Sequence, residues 1–383
     1  MENQESESTR NRKVLLIGPG AIYSTFDVYA NYLDSFSVQP NTDVAGFAYH
    51  FVLEYHAAAR EAMKERYGID PPDGVMLDIT RASREVLMEI YLHQPDYVLF
   101  VDGSKFPPNL YTLLRRFRKD TGLKFVLACY ITEAPYINDV TDNYAKQFDV
   151  LFTNDKLDVE RRRKVTGRNN VVYLPHSYDI FRHYPPTTIT EKPIDVFFCG
   201  TLYPERAATI AQVDWSGINV VMYGTGSLLD DDVLSDLEER GIFTDKILDN
   251  DLVADYYRKS KICLSFNRAY GWDNTLEQAD VSDDDVYSVG PRVIEAAACG
   301  AFVLSEHRPE LVDIFDNSVP IFKSAKELEG LVRYYLANET ERNELAAQSL
   351  KAVTGMTYDH RAAFVLSVLD TAWNQIFTGG SNV

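Results

Sequence analysis

The chain has 383 residues, of which 45% are hydrophobic and 25% charged, with 24 tyrosines and 20 phenylalanines. That length suits two domains, each able to bury a core without disulfide or metal staples, and the composition excludes collagen, coiled coil and a wholly disordered chain. A net charge of −19 speaks against nonspecific binding to nucleic acid or to an anionic membrane, so a polyanionic ligand would need local Arg, Lys and helix N-termini.

The polar stretch from Met1 to Arg10 lacks the apolar centre of a signal peptide and reads as a disordered tail over 1–12. No run approaches the ~18–20 apolar residues of a membrane span. Cys129, Cys199, Cys263 and Cys299 lie in or beside apolar runs with no CxxC pair, which points to buried, reduced thiols and a cytoplasmic protein. From Lys13 to Gly18 an apolar run ends in glycine and reads as a buried strand. Further strands are predicted at 44–48, 75–78, 97–101, 124–129, 150–153 and 171–174, with helices over 51–66, 84–92 and 108–119 and a charged helix before the last strand. Residues 182–193 carry three prolines and little apolar content, marking an exposed linker. The rhythm then restarts, with strands at 195–199, 219–223, 262–266 and 302–304 and helices beginning near Pro204 and Pro291. The last of the closing helices runs over 360–376. Strands alternating with helices imply parallel βαβ units. The expected architecture is α/β, two Rossmann-like doubly wound domains at 13–181 and 194–359 facing a cleft, with 360–383 crossing back to the first domain.

Candidate site residues follow the predicted strands, where open α/β sheets bind ligands. The strongest signal runs from Tyr287 to Gly300. Pro291 suits a first helical turn; Ser288, Gly290, free N–H groups and Arg292 make a diphosphate cradle, and Glu295, one turn on, can accept from ribose hydroxyls. An ordinary surface Arg–Glu pair explains the same residues about equally well. Gly200 opens a second strand-to-helix loop whose Arg206 sits unfavourably in a first turn, a hint of an anion. Gly18, Gly20, Tyr223 and Gly224 mark further glycine turns, none meeting the dinucleotide fingerprint. Tyr257 can stack on a base and Asn267 can bond a sugar or phosphate, with a core Tyr and a loop Asn as the plainer reading. Asp102, Glu133 and His176 also follow strands and are acceptor-side candidates for contact or proton transfer. Asp283-Asp284-Asp285 contains a DxD pattern, for which solvated charge is the favoured reading, as it is for Asp230-Asp231-Asp232. No HExxH, GxSxG or Walker lysine loop is present, and no metal site is expected.

The segment 194–365 resembles the GT-B glycosyltransferases, in particular the CgeB-like group related to spore-coat maturation proteins and to bacterial and phage glycosyltransferases. The resemblance rests on Phe198-Cys-Gly200 with Arg206, on 257–267, on 288–306 with its Arg-x-x-Glu-Ala-x-Ala-Cys-Gly core, on 339–342 and on 357–361. It implies a nucleoside diphosphate sugar as donor, UDP-sugar first, no cofactor, and a protein or glycan acceptor such as a virion or cell-surface protein. Glu295 matches the second of the two glutamates that touch the donor in many retaining members; Tyr287 stands where the first would be. Arg206 stands in for the usual Arg/Lys pair, without the lysine. The implied reaction is metal-independent transfer with retention, Arg206, Arg292 and the helix N-terminus stabilising the departing diphosphate. The alternatives are a nucleotide-sugar 2-epimerase, an inverting transferase using Glu133 or His176 as base, and a non-catalytic sugar-nucleotide or glycan-binding protein.

Overall fold

The computed structural model describes residues 10–379 apart from 189–190, 269, 273–277 and 281–284. The chain divides into two units, one of Met1–Pro175, Trp272–Ala279 and Tyr358–Val383, the other of His176–Gly271 and Asp280–Thr357.

The first unit holds β1 (Arg12–Gly18), α1 (Thr25–Ser37), β2 (Thr42–Ala48), α2 (Tyr49–Tyr67), α3 (Gly74–His93), β3 (Tyr97–Val101), α4 (Pro108–Thr121), β4 (Val126–Ile131), α5 (Asn138–Ala145), β5 (Val150–Thr153), α6 (Lys156–Thr166) and β6 (Val171–Tyr173). Its parallel sheet has the order β2-β1-β3-β4-β5-β6. β3, β4 and β5 are buried along their whole length, which is why they read as continuous apolar runs rather than as alternation. Tyr97 to Val101 illustrates how the faces separate: Val98 and Phe100 enter one core cluster, and Tyr97, Leu99 and Val101 enter the other.

The second unit holds β7 (Ile194–Cys199), α7 (Pro204–Gln212), β8 (Val220–Gly224), α8 (Asp231–Glu239), β9 (Phe243–Asp245), α9 (Asn250–Lys259), β10 (Ser260–Ser265), the first two residues of β11 (Tyr270–Trp272) and the last of β12 (Gln278–Asp280), α10 (Pro291–Ala298), β13 (Val303–Glu306), α11 (Pro309–Phe315), β14 (Ile321–Phe322), α12 (Ala325–Ala337) and α13 (Glu339–Val353). Its parallel sheet runs β14-β13-β10-β7-β8-β9, so chain direction across the sheet reverses between β7 and β10. In the first unit the same reversal falls between β1 and β3.

The chain ends in α14 (Tyr358–Trp373), whose Ala362, Val365, Leu366 and Leu369 complete the first unit's core against Val14, Leu16, Tyr32 and Tyr130. Arg12 clasps Asp370 with its Nε and Nη2, at 3.0 and 2.8 Å to Oδ2. Among the described residues no helix is long and apolar enough to cross a membrane.

Three sequence expectations change, the first being the tail expected over 1–12, since β1 already begins at Arg12, and one unassigned segment gains a helix. Residues 75–78 belong to α3 and form no strand: the 20-residue helix buries Asp78, Ala82, Val86 and Ile90, a face spaced by four that includes Asp78, which a strand reading cannot use. The segment 25–37, unassigned from sequence, is α1, burying Tyr29, Tyr32 and Phe36. The predicted exposed linker is in part packed on the second unit. Arg182 pairs with Asp251 at 2.7 Å, His183 is buried, and the Arg258 guanidinium lies 4.6 Å from the Tyr184 ring centre. Proline content marked the loss of regular structure there, but not the loss of contact.

Candidate functional site

In the second unit the loops at the sheet's reversal point and the start of α10 converge. A Cβ on Gly224 would lie 1.8 Å from the carbonyl oxygen of Gly200, so glycine lets the β7 and β8 loops touch. On Gly200 the Arg292 guanidinium is packed, its carbon 2.9 Å from where a Cβ would stand. Arg292 is the second residue of α10, after the N-cap Gly290 and Pro291. Nothing lies within 4 Å of a Cβ built on Gly290, so the start of the helix faces open space. The segment before it is held by the buried Glu310, which accepts from the Val289 N–H at 2.8 Å.

Arg206 is 6% exposed, on the first turn of α7. Its Nε donates to the Asn267 carbonyl at 2.9 Å and its Nη1 to the Thr201 carbonyl at 2.8 Å, and the Tyr203 ring centre is 4.8 Å from its guanidinium. Burial, and then the charge of Arg292, push its pKa down to about 10. Among the described residues neither guanidinium forms an ion pair. Two neighbouring cations, one of them buried and neither ion-paired among the described residues, make a position where an anion relieves a repulsion that Glu205 and Glu306 only partly offset at Arg206. Their duties differ: Arg206 is spent on its own loops, while Arg292 makes no hydrogen bond among the described residues.

Glu295 is half-buried one turn along α10, close enough to Cys199 and Tyr257 to help raise both their pKa values above ordinary, behind the larger effect of burial. Ser288 is 6% exposed. Tyr223 is half-buried, its hydroxyl 3.5 Å from that of Tyr256. Tyr287 donates to Asp313 at 2.5 Å, so the position of the missing glutamate carries a phenol already in use.

Two donor-side expectations need correction. Tyr257 is a core residue at 3% exposure, its ring 5.7 Å from Phe197, and presents no face for a base to stack on. Asn267 uses its side-chain amide on the His307 carbonyl at 2.9 Å and its N–H on Glu306 at 2.6 Å; it builds the loop that holds Arg206. Gly18 and Gly20 fall in the other unit. Their free space is filled by the chain itself, Gly18 by the Tyr29 ring and Gly20 by the Cβ of His50. Sequence reasoning passed over Glu306, Glu310 and Tyr203; the carboxylates' partners are backbone N–H groups 39 and 21 positions away, a pairing no local pattern announces.

Of the acceptor-side candidates, Asp102 is 1% exposed and accepts from Thr25 at 3.2 Å and Ser104 at 2.5 Å. Glu133, half-buried after the next strand, precedes Ala134, whose N–H and carbonyl both bond the Asn154 amide at 3.1 and 3.2 Å. His176 opens the second unit, and burial pushes its imidazole down to about 4. Of the acidic triplet, Asp283 and Asp284 lie outside the described residues, and Asp285 is exposed.

Residues 206–367 match the family model described as Glycosyl transferase-like. Over 289 residues, 74% of this chain and 86% of the relative, the sequence is 22% identical to the spore protein CgeB of Bacillus subtilis (strain 168). Among solved structures it is similar to a glycosyltransferase from Rickettsia africae ESF-5, with TM-score 0.60, 11% identity and 97% and 100% of the two chains covered. A trehalose-6-phosphate structure from E. coli with bound UDP-2-fluoro glucose has TM-score 0.57 and 11% identity, covering 93% and 98%. A putative UDP-N-acetylglucosamine 2-epimerase from Listeria monocytogenes has TM-score 0.56 and 12% identity, covering 97% and 99%. The fold is that of the GT-B glycosyltransferases. The glycosyl transferase-like segment spans most of the second unit and the first part of α14.

Proposed function

We propose that the chain moves a glycosyl group from a nucleoside diphosphate sugar to a hydroxyl of a protein or glycan acceptor, with retention of configuration and without a metal ion. The observation that carries this reading is Arg292, a guanidinium with no ion-pair partner among the described residues, laid on Gly200 at the open start of α10. A diphosphate there meets fixed positive charge, backbone N–H groups of the first helical turn and a buried neighbouring Arg206. As the bond from the sugar's anomeric carbon to the diphosphate oxygen lengthens, negative charge grows on that oxygen. Preorganised cations stabilise it without the reorganisation that water would need. Glu295, one turn behind Arg292, supplies the carboxylate for ribose hydroxyls. The buried reduced thiols fit a cytoplasmic setting.

Thermal denaturation with UDP, GDP, ADP, dTDP and CMP, each with and without EDTA, tests the reading. A base-selective rise in Tm that survives EDTA and is lost in Arg292→Ala supports it. No rise with any nucleotide refutes the donor site, and a rise abolished by EDTA refutes metal independence.

A further inference from the structure

The first unit assembles a second group of side chains, at its own sheet reversal point between β1 and β3, where open α/β sheets take ligands. β1 and β2 run in register from Arg12↔Thr42 to Gly18↔Ala48, which sets the loop after β1 beside the start of α2. There the Gly20 N–H donates to Nδ1 of His50 at 3.2 Å. A Cβ on Gly20 would stand 2.6 Å from that of His50, so glycine permits the contact. Because Nδ1 accepts, the neutral imidazole carries its proton on Nε2. That N–H has no hydrogen-bond partner among the described residues, although His50 is only 8% exposed. Burial keeps the ring's pKa low; Lys105 lowers it further, while Glu54 and Asp102 oppose.

Around it, the Tyr23 ring meets His50 edge-on with centres 4.8 Å apart, and the Lys105 ammonium stands 5.3 Å from the Tyr23 centre. Lys105 is 3.8 Å from the buried Asp102 carboxylate and keeps 30% of its side chain exposed. Ile22 and Phe51, their chain neighbours, are 73% and 46% exposed. The donors are thus an imidazole N–H and an ammonium, with apolar surface beside them. Around His50 act one cation, Lys105, and two carboxylates, Asp102 and Glu54, a balance that repels anions. We infer that Tyr23, His50 and Lys105 form a subsite for a neutral hydroxylated ring, a hexose whose hydroxyls accept from the two donors and whose C–H face packs on the apolar side chains. This rests on the glycosyl-transfer reading, for which it supplies the acceptor class: a neutral glycan or glycosylated chain.

Saturation-transfer NMR on the full chain, with methyl β-galactoside and N-acetylglucosamine against glucose 6-phosphate and glucuronate, tests it. The neutral sugars are expected to give signal that falls at least about fivefold in His50→Ala, Tyr23→Leu and Lys105→Met, is partly kept in His50→Gln, and is unchanged in Met88→Ala on the exposed side of α3. Lys105→Met, at a partly exposed position, is the variant that tests the site if the buried changes disturb folding. No signal from neutral sugars, equal signal in Lys105→Met, or preference for the anionic sugars overturns the inference. The UDP-induced Tm rise, measured on the same variants, reads the donor site separately: its absence in the unmodified chain counts against the donor reading and leaves the sugar result to stand or fall by itself.

Discussion

Replacing the two arginines of the second unit one at a time separates holding the site from using it. Arg206→Ala removes two hydrogen bonds and leaves the Thr201 and Asn267 carbonyls without those donors. At about 1–3 kcal/mol for each buried group, less the relief of removing a desolvated cation, the expected loss is about 2–4 kcal/mol. A domain of this size shifts by about 2–4 °C per kcal/mol, so Tm should fall by roughly 4–16 °C. Arg292→Ala removes no intramolecular hydrogen bond among the described residues and should change stability by less than about 0.5 kcal/mol. Its cost appears only with nucleotide. A bidentate clasp on a diphosphate contributes about 3 kcal/mol, or roughly 100-fold in Kd. Nucleotide at 100 times the original Kd stabilises the parent by about 2.7 kcal/mol, and the variant, now at its own Kd, by about 0.4 kcal/mol. Differential scanning fluorimetry reads both quantities. If Arg292→Ala loses as much Tm as Arg206→Ala while its response to nucleotide stays intact, the assignment of the free guanidinium to the diphosphate is wrong.

Gly224→Ala should destabilise by about 3 kcal/mol or more in urea melts, because its Cβ meets the Gly200 carbonyl oxygen at 1.8 Å and backbone on both sides must move; an unchanged midpoint would contradict the contact. Removing 358–383 strips Val365, Leu366 and Leu369 from the first unit's core, about 5–9 kcal/mol against a typical domain stability of about 5–15, so hydrogen exchange in β1 and β3 should lose protection. Acid should weaken the fold through His176. Its folded pKa of about 4 lies below the free value of 6.5, so between those values the unfolded chain binds the proton first and stability declines as pH falls, by at most about 3 kcal/mol. His176→Asn should flatten that part of the stability–pH curve, and an unchanged slope would show that another group sets it.

Local chemistry wrote much of this molecule into its sequence. β3, β4 and β5 announce themselves because strands covered on both faces are largely apolar, as do the apolar stretches 196–199 of β7 and 262–264 of β10, and Pro204 and Pro291 mark helix starts because a first-turn residue needs no N–H. The same logic brought Gly200, Arg206, Gly224, Arg292 and Glu295 forward as residues that follow strands or open helices. Tertiary structure decided what each one does. Whether an arginine is spent or free depends on carbonyls 61 positions away, as between Arg206 and Asn267. Whether Tyr257 is platform or core depends on Phe197 of β7, on the sheet face that α9 covers. Asp78 turned a would-be strand into a helix face by reaching Arg60 at 2.8 Å, and His50 became a donor only because register set it on Gly20. Periodicity reports which face a residue takes; the partner it meets there is chosen by strand order and register, which join segments that share no local pattern.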